Sequence, residues 1–236
     1  AGANIVVASS PDGLLLVDGG RAEHSTALLA LLAERYPAAA PKVLFNTNWR
    51  PEHTGGNEAL AAAGAAIHAH ENTKLWLGAD FTVKWEKRRY EPRPRAAWPT
   101  ATFYTSGTLP FGDLEVRYLH LPRAHTDGDV AVLFPRANVL VASDLLAVGR
   151  FPMLDYSTGG WIGGFADATR ALLEVCDADT RIVPAEGPVQ TRAALEAQLE
   201  LAHALHRQVA EAYRAGGSFE DFKAMKPTAG HDAGRG

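Results

Sequence analysis

The chain has 236 residues, 47% of them apolar, and carries a net charge of −4 at neutral pH. That is enough for a single domain with a buried core. The charge excludes a general attraction for nucleic acid or for an anionic membrane surface, and no apolar run approaches the length of a membrane span. The one cysteine, Cys176, lies in the apolar helical pattern Leu172-Leu173-Glu174-Val175-Cys176. It reads as a buried thiol, and no intramolecular disulfide is available. The chain opens on Ala1-Gly2-Ala3-Asn4 with neither a methionine nor a signal peptide. The expectation is a trimmed or processed, soluble product, compatible with a periplasmic or secreted compartment.

In chain order, residues 4–9 and 14–18 read as a strand hairpin, because Ser10-Pro11-Asp12-Gly13 supplies the fixed and the positive φ angles of a tight turn. Asp18-Gly19-Gly20 ends the second strand. Ser25 then opens a helix whose Leu28, Leu29, Leu31, Leu32 and Tyr36 form one apolar face up to Pro37. A strand over 42–46 leads to a helix for which Asn57 is the expected N-cap. Residues 65–69 form the next strand, and a short helix follows that ends near Gly78. His68 and His70 share a face of that strand and read as a polar strand end rather than as ligands. Strand, helix, strand, helix is the pattern of an α/β domain.

From Lys84 to Arg95 the chain interleaves Lys84, Lys87, Arg88, Arg89, Arg93 and Arg95 with Trp85, Tyr90 and, just beyond, Trp98. Aromatic rings among cations can stack on bases. This run, however, is short, holds Pro92 and Pro94 and sits in an acidic chain, so it reads as a solvated connection that rims a pocket and favours anionic substrates. Strands are expected over 101–105, 109–111, 114–121, 130–134 and 139–142. After the Gly-rich 155–160 come a helix carrying Ile162, Phe165, Ala168, Leu172 and Val175, a strand at 181–184, and a long helix over 191–215. The long helix has the apolar stripe Leu195, Leu199, Ala202, Leu205, Val209 and Tyr213. Ser218-Phe219-Glu220-Asp221 resembles a capping box. A single domain over 1–226 and a flexible tail over 227–236 complete the expectation.

Chemistry concentrates where strands end. The stretch Asn46-Thr47-Asn48-Trp49-Arg50-Pro51-Glu52-His53-Thr54-Gly55-Gly56 runs from a strand into a helix, and His125, Asp144, Glu186 and, more weakly, His70 also follow strands. Converging strand ends are how an α/β sandwich assembles a site.

Positions 48, 50, 52 and 53 resemble the His-x-His-x-Asp-His metal motif of the metallo-β-lactamase-fold superfamily, with Asn48, Arg50, Glu52 and His53 in its four ligand positions. His125-Thr126-Asp127-Gly128-Asp129, Ser143-Asp144 and the Pro-x-x-Gly at 184–187 match further motifs of that family in order and spacing, from Asn4 to about Gln190. The resemblance implies a four-layer αββα sandwich. It also implies two metal sites. The first would fall on Asn48, Arg50 and His125, where a guanidinium has no lone pair to offer. The second would fall on Glu52, His53, Asp144 and Glu186, all capable ligands.

With both histidines neutral, Glu52, Asp144 and Glu186 against Arg50 leave a deficit of two charges, which one divalent cation would balance. This gives a site that is at most mononuclear, with metal ligands drawn from Glu52, His53, His125, Asp144 and Glu186. Arg50 would stand where the missing metal's charge was, paired with Asp144 or Glu186. Zinc, manganese and iron suit such ligands, zinc foremost. The expected reaction is metal-assisted hydrolysis of an ester, thioester, lactone or amide in a small-molecule substrate. Glu52 or Asp144 would act as base, and Arg50 and Asn48 as oxyanion donors. The alternative needs no metal: protonated His53 and His125 close the same deficit, leaving a pseudoenzyme or a binding protein that uses Arg50 to hold an anionic ligand.

Overall fold

The computed structural model describes residues 3–231. Strands β1 (Val6–Ser10) and β2 (Gly13–Val17) form the expected hairpin and are followed by helix α1 (Ser25–Arg35) and strand β3 (Pro41–Phe45). Two short helices, α2 (Pro51–Thr54) and α3 (Asn57–Ala62), precede β4 (Ala66–His70), α4 (Glu71–Leu77), β5 (Phe81–Val83) and β6 (Arg88–Tyr90). The run β7 (Ala101–Phe103), β8 (Gly107–Phe111), β9 (Leu114–His120), β10 (Val130–Phe134) and β11 (Val139–Ser143) leads to α5 (Ile162–Glu174), β12 (Arg181–Pro184), α6 (Arg192–Arg214) and α7 (Phe219–Ala224).

The strands build two five-stranded sheets, ordered β1-β2-β3-β4-β7 and β12-β11-β10-β9-β8. Alternation along each strand separates three apolar layers. Leu15 and Val17 of β2 and Val43 and Phe45 of β3 meet Val130, Val132 and Phe134 of β10 between the sheets. Leu14, Leu16 and Leu44 face outward onto Leu32 of α1 and Leu60 of α3. On the far side, Ala131, Leu133, Leu140 and Ala142 face Phe165 and Leu172 of α5 and Leu195 of α6. Helix, sheet, sheet, helix is the four-layer sandwich expected of the sequence, and Cys176 is buried in its last layer.

Some local readings change. Asn57 is the first residue of α3 and not its N-cap, which is Gly56. Its side chain instead exchanges two hydrogen bonds with Asn46 and donates to the Ala97 carbonyl, tying α3 to the end of β3. The cationic 84–95 run is not merely a connection, since β5 and β6 pair as an antiparallel hairpin over its first half. The stripe of α6 is buried only in its first half, where Leu195 and Ala202 lie in the core, whereas Val209 and Tyr213 are exposed. Leu31 of α1 is exposed as well. Ser218 and Asp221 do form the capping box of α7. Of the expected tail, residues 232–236 lie outside the described residues.

Candidate functional site

The C-terminal ends of β2, β3, β11 and β12 deliver Asp18, residues 46–53, Asp144 and Glu186 to one edge of the sandwich, and the loop before β10 adds His125. The backbone holds these ends in register. Asp18 N–H donates to the Phe45 carbonyl (2.8 Å), Val130 N–H to Thr47 (2.7 Å) and Ala185 N–H to Ser143 (2.9 Å). Asp18 and Ser143 both adopt left-handed φ angles, 66° and 52°. Such a conformation is uncommon for residues other than glycine. It turns each chain out of its strand at the point where the two side chains approach, Ser143 Oγ donating to Asp18 Oδ2 at 3.3 Å. Gly55 and Gly56 let α2 lie directly on the 19–22 backbone, where a Cβ at either would strike main-chain atoms.

At the centre is His53, buried, with a carboxylate on each side. Its Nδ1 lies 2.8 Å from Asp18 Oδ2 and its Nε2 2.7 Å from Asp144 Oδ2. Burial alone would push its pKa down, but the charges and hydrogen bonds of Asp18 and Asp144 raise it well above the usual histidine value. Each ring nitrogen thus stands at hydrogen-bond distance from a carboxylate oxygen able to accept a proton from it. Asp18 is in turn fixed by Thr47, whose N–H and Oγ1 both donate to it at 2.8 Å. Asp144 Oδ2 also accepts from Asn48 Nδ2 (3.0 Å), and His125 Nδ1 stands 3.8 Å from it. Although Asp144 is buried, the charges of His125 and His53 and the hydrogen bonds from His53 and Asn48 hold its carboxyl far below the usual range.

The other expected ligands are each paired with a cation. Glu52 is bound by Arg21 and Glu186 by Arg150, at 2.7 Å. Arg50 does not pair with Asp144 or Glu186 as the sequence suggested. Its guanidinium, buried under Trp49 and Trp85 at 5.3 and 5.9 Å from their ring centres, binds Glu86 and donates to Asp155 (3.3 Å), with Glu52 4.0 Å away. The cause is topological: the β5–β6 hairpin carries Trp85 and Glu86 over α2, and Tyr90 also donates to Glu86. Glu86, Asp155, Arg21, Arg150 and Asp18 were not anticipated as site residues. Asp18 was legible as a polar strand end on the same edge. Glu86, inside a cationic run, gave no signal.

Whether these side chains fit a metal can be judged from their geometry. Two nitrogen or oxygen ligands of one tetrahedral zinc stand ~3.3 Å apart. The 2.7 Å between His53 Nε2 and Asp144 Oδ2 is instead the spacing of a hydrogen bond. Asn48 is held at both ends, its Oδ1 accepting from Arg50 N–H (2.9 Å) and its Nδ2 donating one hydrogen to Asp144 (3.0 Å). Among the described residues no three histidine, cysteine, aspartate or glutamate side chains are placed to hold one ion. The expected two-metal and one-metal sets therefore do not fit the side chains as arranged. In their place a carboxylate oxygen, that of Asp144, sits within a cage of nitrogen groups. One feature runs the other way: the Nε2 of buried His125 and Glu52 Oε2 have no hydrogen-bond partner, and His125 Nδ1 has only Asp129 Oδ1 nearby, at 3.4 Å.

The groups open on a cleft of about 150 Å³ lined by Arg50, Glu52, His53, Asp144, Arg150 and Glu186, with Ala3, Met153 and Ala185 as its apolar wall. Asn48 and His125 lie behind it. No helix among the described residues is long and apolar enough to cross a membrane.

Comparison with known proteins agrees with this architecture. The family model described as the metallo-beta-lactamase superfamily matches residues 2–215. Among solved structures, a metallo-beta-lactamase from Pontibacter korlensis superposes with a TM-score of 0.68 at 21% identity, covering 85% of this chain and 87% of that one. No curated protein gives a significant match. The chain is a hydrolase-like protein and belongs to the metallo-β-lactamase superfamily.

Proposed function

We propose that this chain works without a resident metal, as a binding member of its superfamily that takes a small anionic molecule into the cleft at the strand ends. The observation that carries this reading is the placement of His53 between Asp18 and Asp144, where a doubly protonated ring would supply from the protein the positive charge a cation would bring. Members of the superfamily commonly bind divalent metals, so the reading makes this chain a departure within its family.

The anion-holding role passes from Arg50 to Arg150. Arg50 is buried and its charge is already matched by Glu86 and Asp155, whereas Arg150 and Glu186 are 38% and 39% exposed at the mouth of the cleft, with Asp144 a second carboxylate 3.8 Å from Arg150. A half-exposed pair contributes only about 0–1 kcal/mol, so a ligand carboxylate or phosphate can displace Glu186 at small cost. Buried pairs such as Arg50–Glu86 resist exchange, because parting them strands a desolvated charge.

Elemental analysis of protein purified with zinc, manganese and iron supplied tests the reading. The expected result is well under one equivalent of metal per chain, with heat stability unchanged by a chelator. One tightly held equivalent would overturn it. Restoring His at 48, 50 and 186 with Asp at 52 should then introduce metal binding, because the scaffold edge is intact.

A second reading, a one-metal hydrolase of an ester, thioester, lactone or amide, is favoured by the unpartnered His125 Nε2 and Glu52 Oε2. It requires His53 to give up its Nε2 proton and Glu52 to leave Arg21. The same elemental analysis decides between the two.

A further inference from the structure

A second pair of histidines lies beside the site and takes no part in it. His70, at the end of β4, and His120, at the end of β9, stack face to face with ring centroids 3.7 Å apart and 15° between their planes. His70 is also the N-cap of α4, its Nδ1 accepting from Asn72 N–H at 3.2 Å, while its Nε2 lies 3.3 Å from the Tyr104 carbonyl. A carbonyl can only accept, so Nε2 carries the proton and Nδ1 is bare, which fixes one neutral tautomer. His120 Nε2 donates to the Asp127 carbonyl at 3.2 Å.

The helix that His70 caps is a clamp on both flanks of the site. Asn72 Nδ2 donates to the Asp127 carbonyl, Thr73 Oγ1 to the Gly128 carbonyl and Trp76 Nε1 to the Asp127 carboxylate, all in the loop that carries His125. Trp76 also packs on Phe81 (4.8 Å between ring centroids), the first residue of the hairpin that brings Glu86 to Arg50.

We propose that the His70–His120 stack is an acid-sensitive clasp: a proton on His70 Nδ1 removes the acceptor that caps α4 and sets a cation against the His120 ring, releasing the helix from the His125 loop. The groups facing His70 from each neighbouring element are Glu71 of α4, His120 of β9, Asp127 and Asp129 of the site loop, and the Tyr104 carbonyl and ring after β7. Burial and the His120 charge press the His70 pKa below its ordinary value, outweighing the Tyr104 hydrogen bond and the Glu71 and Asp129 charges. The clasp is closed at neutral pH and opens as pH falls below the ordinary histidine value. It holds whatever occupies the cleft.

The experiment is hydrogen exchange of the 71–78 segment in the intact chain between pH 7.5 and 5, corrected for the intrinsic pH dependence of exchange. Protection is expected to fall about fivefold or more on acidification, the size of a lost N-cap. In His70→Asn, which keeps a capping acceptor but does not titrate, protection should stay level. In His120→Phe, which keeps a stacked ring without its charge, the fall should move to higher pH. The same fall in His70→Asn, or no fall in the unaltered chain, would overturn the proposal. Should His70→Asn not fold, an unshifted midpoint in His120→Phe would overturn it.

Discussion

His53 lies beyond the end of β3 and His70 ends the neighbouring parallel strand β4, and both are buried, yet the surroundings raise the pKa of the first and lower that of the second. Burial acts alike on both, since it disfavours charge. The difference is what the nitrogens meet. His53 finds a carboxylate at each end, whereas His70 finds a backbone N–H, a carbonyl and another imidazole. The comparison teaches that burial alone does not set the charge preference of these two histidines; the partners of each ring decide it.

The strongest way to break the contrast is to remove one of the carboxylates. Asp18→Ala should destabilise the protein by roughly 3–5 kcal/mol, because it leaves His53 without one of its two buried partners and strands the Thr47 donors. A urea unfolding curve measures this, and a change below ~1 kcal/mol would show that the charge on His53 has been misassigned. The same reasoning extends to Arg50. Glu86→Ala should cost about 2 kcal/mol, since the guanidinium keeps Asp155 but loses its hairpin partner. Exchange of the 81–90 hairpin should rise with it.

The contrast can also be sharpened with pH. Because the His53 pKa is raised in the fold, its contribution is fully present below the unfolded value near 6.5 and is lost as pH rises through the folded value, at up to ~1.4 kcal/mol per pH unit. His70 has the opposite sign. Its pKa is lowered, so its contribution is present above about 6.5 and is lost as pH falls toward the folded value. Stability measured against pH should therefore lose part of its alkaline decline in His53→Gln and part of its acid decline in His70→Asn. His125, whose pKa Asp144 and Asp129 raise against its burial, keeps some alkaline decline in both.

How much of this was legible in the sequence follows from the range of each interaction. The layers were legible through the family resemblance, since β2 and β10 are buried on both faces and carry no polar alternation of their own. The strand-end residues 48–53, His125, Asp144 and Glu186 were legible because family spacing marks them, and the fold brings Arg50, Glu52, His53, Asp144 and Glu186 to one cleft. Partner choice was not. Arg50 meets Glu86, 36 residues away, through a hairpin whose strands are three residues each, and Asp155, 105 residues away, in the loop before α5. Arg21 and Arg150 sit in loops with no periodic signal, so the charge count made from Glu52, Asp144, Glu186 and Arg50 alone omitted both the cations paired with Glu52 and Glu186 and the further carboxylates of Asp18, Glu86 and Asp155.

The central claim is that a protonated His53, held between Asp18 and Asp144, stands in for the metal. Nitrogen-15 NMR of the His53 ring in the purified protein at pH 7.5 tests it directly. The account predicts protons on both Nδ1 and Nε2 that persist when a chelator is added. A bare Nε2 whose resonance moves on chelation would contradict it.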